Sequence, residues 1–176
     1  MSLKVKNKQN SITPPDLLVA QKLICEPMGL VCKNMVKEKE SEEYGAFTFE
    51  MNNQRICFRV AKTTPTKTGQ FVTLWKRIGK GPILPFDMAD TIDLFIVSVR
   101  SAKHFGQFVF PKEILCEKGI VSKNGKGGKR AIRVYPAWDI ADNNQAKKTQ
   151  AWQLKYFFEI QPSDRVDVAR IKKLFL

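Results

Sequence analysis

The chain has 176 residues, with 30 lysine and arginine side chains against 17 aspartate and glutamate, and a formal net charge of +13 at pH 7. Hydrophobic residues make up 43% of it, including 12 phenylalanines, so we expect the charge to cover a folded domain rather than a disordered chain. No apolar run approaches the roughly 20 residues that span a bilayer and no apolar signal segment follows the N-terminus, so we expect a cytosolic protein without a membrane partner.

The first residues predict a tail and a helix. Residues 1–10 are polar and predict a disordered N-terminal tail, while residues 11–176 predict one domain. Thr13-Pro14-Pro15-Asp16 is typical of a helix start, with Thr13 as N-cap and an acid in the first turn, and this helix should end near Pro27. Residues 33–43 mix charges of both signs, and their pattern leaves a helical turn and a loop equally open.

Residues 47–51 and 54–60 alternate apolar and polar side chains around Asn52-Asn53, which predicts a β-hairpin with a two-residue turn. In that register Glu50 faces Arg55, and one face of the hairpin is apolar throughout. The opposite face is expected to carry Glu50, Arg55 and Arg59.

The later elements follow the same rules. Strands are predicted at about 69–77, 93–99, 105–110 and 131–136, and helices at about 112–119 and 144–160. The residues between 122 and 130 are rich in glycine and lysine and predict a flexible loop. The order of elements predicts an α+β or mixed α/β fold with a central, mostly antiparallel sheet flanked by helices.

Two long segments, 51–86 and 118–138, contain no acidic residue. An uncompensated basic surface attracts polyanions, so DNA or RNA is the first partner to consider. In the first segment, a threonine-rich turn over residues 63–68 offers hydroxyl groups, backbone N–H groups and Lys67 to a phosphate. Trp75, on the strand that follows, has two alternatives: it stacks on a base or packs inward.

Catalytic patterns are weak. A metal-dependent nuclease needs carboxylates on adjacent strands with a lysine nearby, and Glu50, Asp93 and Lys62 are the candidates for catalysis and for a metal. Glu50 can equally pair with Arg55. The single histidine, His104, lies at a predicted turn, and no nucleophile motif accompanies it. The four cysteines are scattered and lack CxxC spacing, which predicts reduced, buried thiols.

Several motifs in order, RVAKTTPTKTGQFVTLWKR, DLFIVSV, HFGQFVFPKEILCEKGIVS, RVYPAWD and QAKKTQAWQLKYFFEI, resemble the MepB-like family of small bacterial proteins, the best known of which is encoded beside a multidrug efflux pump. The resemblance covers about residues 12 to 160. It implies a fold akin to restriction-endonuclease-like or tRNA-endonuclease-like nucleases, without an established catalytic activity. On the basis of this resemblance the first site candidates are the family-pattern residues Arg59, Lys62, Thr64, Thr66, Lys67, Gln70 and Trp75, followed by Lys112, Arg133 and Lys148.

These observations favour a nucleic-acid-binding domain that contacts the phosphate backbone through the basic, threonine-rich hairpin and lacks robust catalysis. To the residues of the family pattern we add Lys76 and Arg77 as phosphate contacts. Two alternatives stay open: a Mg²⁺-dependent nuclease, which alone would need a cofactor, and a binding module for an acidic protein. The oligomeric state does not follow from the sequence.

Overall fold

The computed structural model describes residues 13–160, 163 and 166–176, so the predicted N-terminal tail lies outside the described residues. None of the helices in the described residues is both long and apolar enough to cross a membrane. The strands, in chain order, are β1 (Lys33–Lys37), β2 (Phe47–Met51), β3 (Gln54–Val60), β4 (Lys62–Thr63), β5 (Gln70–Thr73), β6 (Trp75–Arg77), β7 (Ile83–Pro85), β8 (Leu94–Arg100), β9 (Phe105–Pro111), β10 (Ala131–Val134) and β11 (Phe157–Ile160). The α-helices are α1 (Pro15–Ala20), α2 (Lys112–Glu117), α3 (Asn144–Gln153) and α4 (Val168–Phe175).

A large six-stranded sheet has the order β1-β2-β3-β8-β9-β11. Only β3 and β8 run parallel within it, and its other neighbours are antiparallel. The predicted α+β class with a central, mostly antiparallel sheet flanked by helices is therefore confirmed. A small sheet, β10-β5-β4, and the pair β6-β7 complete the strands.

The large sheet has a hydrophobic cluster on each face. On one face, Leu17 and Ile24 of the N-terminal helical segment and Ile171 and Phe175 of α4 pack against the sheet. On the other face, the small sheet and α2 cover it, with Val72, Val134 and Leu115 fully buried. The site described below lies on this second side, because β5 and β10 are part of that cover.

The β2–β3 hairpin has the predicted register, with Met51 opposite Gln54, Glu50 opposite Arg55 and Phe49 opposite Ile56. Asn52 and Asn53 both have positive φ, 51° and 58°, as a two-residue turn of the primed type requires. The predicted apolar face is confirmed, since Phe49, Met51, Ile56 and Phe58 are all buried in one hydrophobic cluster, but the opposite face of β3 is covered as well. That second face meets the small sheet, so Cys57 and Arg59 are buried too.

Two elements differ from the predicted ones. The final helix ends at Gln153, and Phe157–Ile160 form β11, which pairs with β9 as an edge strand. Three of the four positions in this short run are buried, and its strand partner lies about 50 residues away, so local pattern could not choose between helix and strand. The strand expected over 69–77 is divided at Leu74, whose N–H bonds to the carbonyl of Arg130, into β5 and β6 of different sheets.

The first helix and the segment after it also differ from the predicted ones. The N-cap of α1 is Pro14 rather than Thr13, and no side chain caps it. Asp16 is buried and bonds to Ser98 Oγ at 3.0 Å and to Arg100 Nε, so the helix is tied to β8 instead. For residues 33–43 the sequence left a helical turn and a loop open, and in the structure residues 33–37 form neither but a strand, β1, at the edge of the large sheet.

Candidate nucleic-acid interface

The two acid-free segments are brought together in the small sheet. Strand β5 belongs to the first segment and β10 to the second, and they pair antiparallel with Arg133 opposite Phe71 and Val134 opposite Gln70. Pairing places side chains from both segments on one surface, without a carboxylate from either. A charge pattern that is split in the sequence thus becomes continuous in space.

Helix α3 forms the second wall of this surface and is fixed to β10 by amide side chains. Buried Gln153 donates from Nε2 to the Arg133 carbonyl at 2.9 Å and accepts from the Tyr135 N–H at 2.9 Å, as a neighbouring strand would. Gln150 donates to the carbonyls of Pro136 and Asp139 at 3.0 and 2.8 Å. Helix α3 is therefore held at two successive turns along β10 and the loop that follows it.

Between α3 and the small sheet lies a groove of about 510 Å³, which we call the basic groove. Its cations are Lys67, Lys118, Lys129 and Arg133, its aromatic side chains are Phe71, Tyr135 and Trp152, and its polar side chains include Asn143, Gln145, Thr149 and Gln153. None of the described residues that line it carries a carboxylate. Such a groove favours anionic ligands that also have a flat, apolar part.

The aromatic side chains of the groove are positioned by the core. Trp152 packs on buried Phe110, with ring centroids 5.4 Å apart, and the ammonium group of Lys118 lies 5.9 Å from the Trp152 centroid. Tyr135 lies against Gly69, where a Cβ would come within 2.7 Å of its ring. Both rings are half-buried, so one part of each is anchored and the rest faces the groove.

The threonine-rich turn lies beside the groove. Arg133 holds it by donating to Thr64 Oγ1 at 2.8 Å and to the carbonyls of Gly69 and Thr68 at 3.2 and 3.4 Å. On its far side the turn borders a second depression of about 430 Å³, which also contains Asp139. Burial raises the pKa of Asp139, and its carboxylate makes this second depression less suited to a phosphate than the groove.

The glycine- and lysine-rich loop predicted to be flexible is anchored by Asp87. This carboxylate accepts hydrogen bonds from Ser122 Oγ at 2.6 Å and from the N–H groups of Gly125 and Ala89 at 3.0 and 2.9 Å. These bonds lower the pKa of Asp87 to about 2, the Ser122 hydroxyl contributing most. The loop that leads to Lys129 and β10 is therefore tied down at its base.

Arg59 requires a correction. We expected it to face solvent and contact phosphate, but its side chain has 0% exposure and forms a bidentate pair with Glu38, at 3.0 and 2.8 Å. It also donates to the carbonyl of Phe58 at 2.9 Å. A guanidinium enclosed in this way cannot reach a nucleic acid, and its role is structural.

Other predicted contacts are also engaged within the fold. Gln70 is buried and donates to the Arg100 carbonyl at 2.8 Å, and Lys112 donates to the carbonyls of Met88 and Asp90 at 3.0 and 2.8 Å. Lys76 pairs with Asp90 and Arg77 with Glu40, while Lys62 lies 4.6 Å from the ring centroid of Tyr44. Trp75 is half-buried, with the Arg77 guanidinium 5.6 Å from its ring.

The structure brings together only part of the predicted site. Lys67 and Arg133 line the groove, and Thr64 is bonded to Arg133. Thr66 lies in the threonine-rich turn, and Lys148 is exposed on α3.

The predicted carboxylate pair does not come together. Glu50 on β2 and Asp93 before β8 lie on either side of Arg55 of β3, so their backbones are two strand spacings, roughly 10 Å, apart. Asp93 accepts from the Arg55 N–H at 2.8 Å, and Glu50 accepts from the Asn34 amide at 2.9 Å. Across the described residues there is no group of three or more histidine, cysteine or acidic side chains placed to hold a metal.

Sequence reasoning missed the aromatic half of the groove. Phe71 and Tyr135 fall in predicted strands and Trp152 in a predicted helix, without being candidates for the site, while Lys118 and Lys129 fall in the second acid-free segment. The missing information was the pairing of β5 with β10, although the absence of acids from both segments was a signal that they share a surface.

Fold and groove together define a basic α+β protein with a groove beside its central sheet that is lined by cations and aromatic side chains. The family model for MepB-like proteins matches residues 38–159, more than half of the chain, and the chain belongs to the MepB-like family. Its fold is also similar to the crystal structure of MepB, with a TM-score of 0.72 and 34% identity over 83% of this chain and 97% of that one.

A bacterial homing endonuclease, I-Ssp6803I, aligns with a TM-score of 0.43 and 14% identity, covering 77% of this chain and 87% of that one. A similarity at this level carries no conclusion about activity. No curated protein sequence matches the chain.

Proposed function

We propose that the protein binds single-stranded nucleic acid, DNA or RNA, in the basic groove. The observation that carries the proposal is the lining of the groove: four cations and three aromatic side chains, with no carboxylate from the described residues. Cations alone would fit any polyanion. The aromatic side chains between the cations favour a ligand that carries a flat ring as well as a phosphate, as a nucleotide does.

The shape of the groove supports a single strand over a duplex. At about 510 Å³ it falls within the roughly 300–1,000 Å³ of typical ligand sites, large enough for a nucleotide but far too small for a double helix. Bases inside a duplex are stacked on one another and cannot lie on Tyr135 or Trp152, whereas unpaired bases can. Duplex DNA would reach only the lysines at the rim.

The proposed role is binding without hydrolysis. Metal-dependent cleavage needs carboxylates close enough to share an ion, and Glu50 and Asp93 are separated by Arg55. The groove itself contributes cations and neutral donors, which position phosphates and do not activate water.

The test is fluorescence anisotropy of labelled single-stranded DNA, single-stranded RNA and a duplex of the same sequence at several salt concentrations. If all four groove cations contact phosphates, the slope of log K against log salt is about −2.8 for a single strand, or roughly a 50-fold loss of affinity between about 50 and 200 mM salt. Replacing two exposed groove lysines, Lys67→Ala with Lys129→Ala, should reduce the slope to about −1.4.

The matched control removes two exposed lysines from the opposite side of the large sheet, Lys172→Ala with Lys173→Ala on α4. It lowers the net charge equally and should leave the slope unchanged. Equal losses in the two double variants would mean that binding follows net charge and not the groove. Absence of single-strand binding at low salt would refute the proposal, and equal competition by poly-glutamate would favour an acidic protein as the partner.

A further inference from the structure

Two cysteines meet on the side of the large sheet opposite to the basic groove. Helix α1 continues into a π-helical turn, Gln21–Cys25, and the Cys25 carbonyl accepts hydrogen bonds from the N–H groups of Met28 and Leu30 at 3.2 and 2.8 Å. The chain therefore folds back, and this brings the Cys32 side chain into the same hydrophobic cluster as Cys25. Both side chains line the same small apolar cavity.

The surroundings of the pair distinguish its two members. Cys25 is buried, with its sulfur 3.5 Å from Met51 Sδ, whereas Cys32 is half-buried, just before β1. The Gln21 amide, positioned by the π-helical turn, bonds to the Cys32 sulfur and donates to Met35 Sδ at 3.4 Å. The more accessible sulfur is thus the one that receives hydrogen bonds.

This arrangement favours a thiolate at Cys32. Hydrogen bonds from Cys25 and Gln21 outweigh burial and lower the pKa of Cys32 to about 7. The pKa of Cys25 is raised well above its usual value, first by the bond to Cys32, then by burial and by the negative charge of Glu26. A partly exposed thiolate beside a second thiol is the arrangement found at redox-sensitive cysteines.

The other two cysteines lack these features. Cys57 is fully buried in the opposite cluster, and burial raises its pKa to about 12. Cys116, on α2, is half-buried against the same cluster. They supply internal references for the reactivity of buried and half-buried thiols outside this pair.

We propose that Cys32 and Cys25 form a peroxide-sensitive thiol pair that closes to an intramolecular disulfide. The Cys32 thiolate attacks one oxygen of hydrogen peroxide, the O–O bond breaks, and Cys32 becomes a sulfenic acid while the departing hydroxide takes a proton to form water. The Cys25 sulfur then attacks the Cys32 sulfur, and the displaced hydroxide leaves as water with the proton from Cys25. Two thiols are oxidised by two electrons, and one peroxide is reduced to two waters.

The wild-type chain provides a direct readout. Trypsin cleavage after Lys22 and Lys33 releases a single peptide, 23–33, that contains both cysteines, and cyanogen bromide cuts it at Met28 between them. After treatment with one equivalent of peroxide near pH 7 and alkylation in denaturant, this peptide should have lost two hydrogen atoms and carry no alkyl group. Its two halves should stay joined after cleavage at Met28, while the peptides that contain Cys57 and Cys116 are fully alkylated.

Variants separate the two roles. In Cys25→Ser, Cys32 should still react but stop at a sulfenic acid that a 1,3-diketone traps, and in Cys32→Ser the oxidation of Cys25 should slow at least tenfold. Cys116→Ser is the matched control and should form the disulfide at the wild-type rate. The proposal is overturned if the wild-type peptide is not cross-linked, if Cys116 is oxidised before Cys32, or if Cys25→Ser and Cys32→Ser react equally fast.

Discussion

The buried pair of Arg59 and Glu38 gives a prediction in which the two partners behave differently. The Arg59 side chain is 0% exposed, whereas the Glu38 side chain is 21% exposed. Glu38→Gln leaves a guanidinium enclosed in the protein without its counter-charge. Removing one partner of a buried ion pair lowers the free energy of unfolding by about 3–5 kcal/mol. Because water reaches the Glu38 end of this pair, we expect a loss of about 2–4 kcal/mol for Glu38→Gln.

The reverse substitution should cost less. Arg59→Met keeps much of the side-chain volume and leaves Glu38 unpaired, but Glu38 can turn toward solvent. We therefore expect the free energy of unfolding to fall by only about 1–2 kcal/mol. A protein of this size loses about 2–4 °C of melting temperature per kcal/mol. Glu38→Gln should therefore melt roughly 4–16 °C below wild type and Arg59→Met roughly 2–8 °C below it.

Urea unfolding followed by circular dichroism measures both variants, with the slope m as a check that the unfolded states are comparable. The order matters more than the absolute values. If Arg59→Met is the more destabilising of the two, or if both cost less than about 0.5 kcal/mol, the guanidinium is not enclosed as described. In that case Arg59 would return as a phosphate contact, and Arg59→Met would weaken the salt dependence of nucleic-acid binding.

Three further substitutions test other parts of the fold. Gly69→Ala places a Cβ within 2.7 Å of the Tyr135 ring at a φ of +80°, so it should weaken single-strand binding as well as stability, seen by anisotropy and thermal melting. Gly106→Ala meets the Phe157 ring at 2.6 Å and should lower stability by about 1–3 kcal/mol in urea, with binding to the folded protein retained. Asp87 has a pKa of about 2 in the folded protein, below its ordinary 3.8. Its carboxylate therefore stabilises the fold above about pH 4, and this stabilisation is lost as pH falls toward 2. Asp87→Asn should therefore flatten the acid side of the melting-temperature profile, and a profile equal to that of wild type would contradict this role.

The sequence predicted local structure well where the determining residues are close together. The register of the β2–β3 hairpin follows from alternation on each side of Asn52-Asn53, whose side chains tolerate positive φ. The fold class followed from the order of such elements. The predictions that failed depend on contacts between distant parts of the chain. Residues 157–160 form β11 because β9 presents a free edge, and nothing within those four residues encodes that edge.

The burial of Arg59 shows the same limit within the site. Alternation along β3 correctly placed Arg59 opposite Ile56 and Phe58, but it could not show that the second face is covered as well. The residue that neutralises it, Glu38, lies 21 positions earlier, outside the segment whose lack of acids suggested a binding site. An acid-free stretch of sequence is therefore not an acid-free environment in the fold.

That distinction determines how the net charge of +13 should be interpreted. Lys76 and Arg59 are held by carboxylates and Lys112 by carbonyls, and none of the three lines the groove, so they add to the total without offering a contact there. The groove cations come from two segments that have no acids and that are joined by the pairing of β5 with β10, although Lys118 also pairs with Glu117, the residue before its segment, at 2.8 Å. A salt slope near −3 would therefore report a small set of phosphate contacts, whereas a much steeper slope would mean that the whole basic surface takes part.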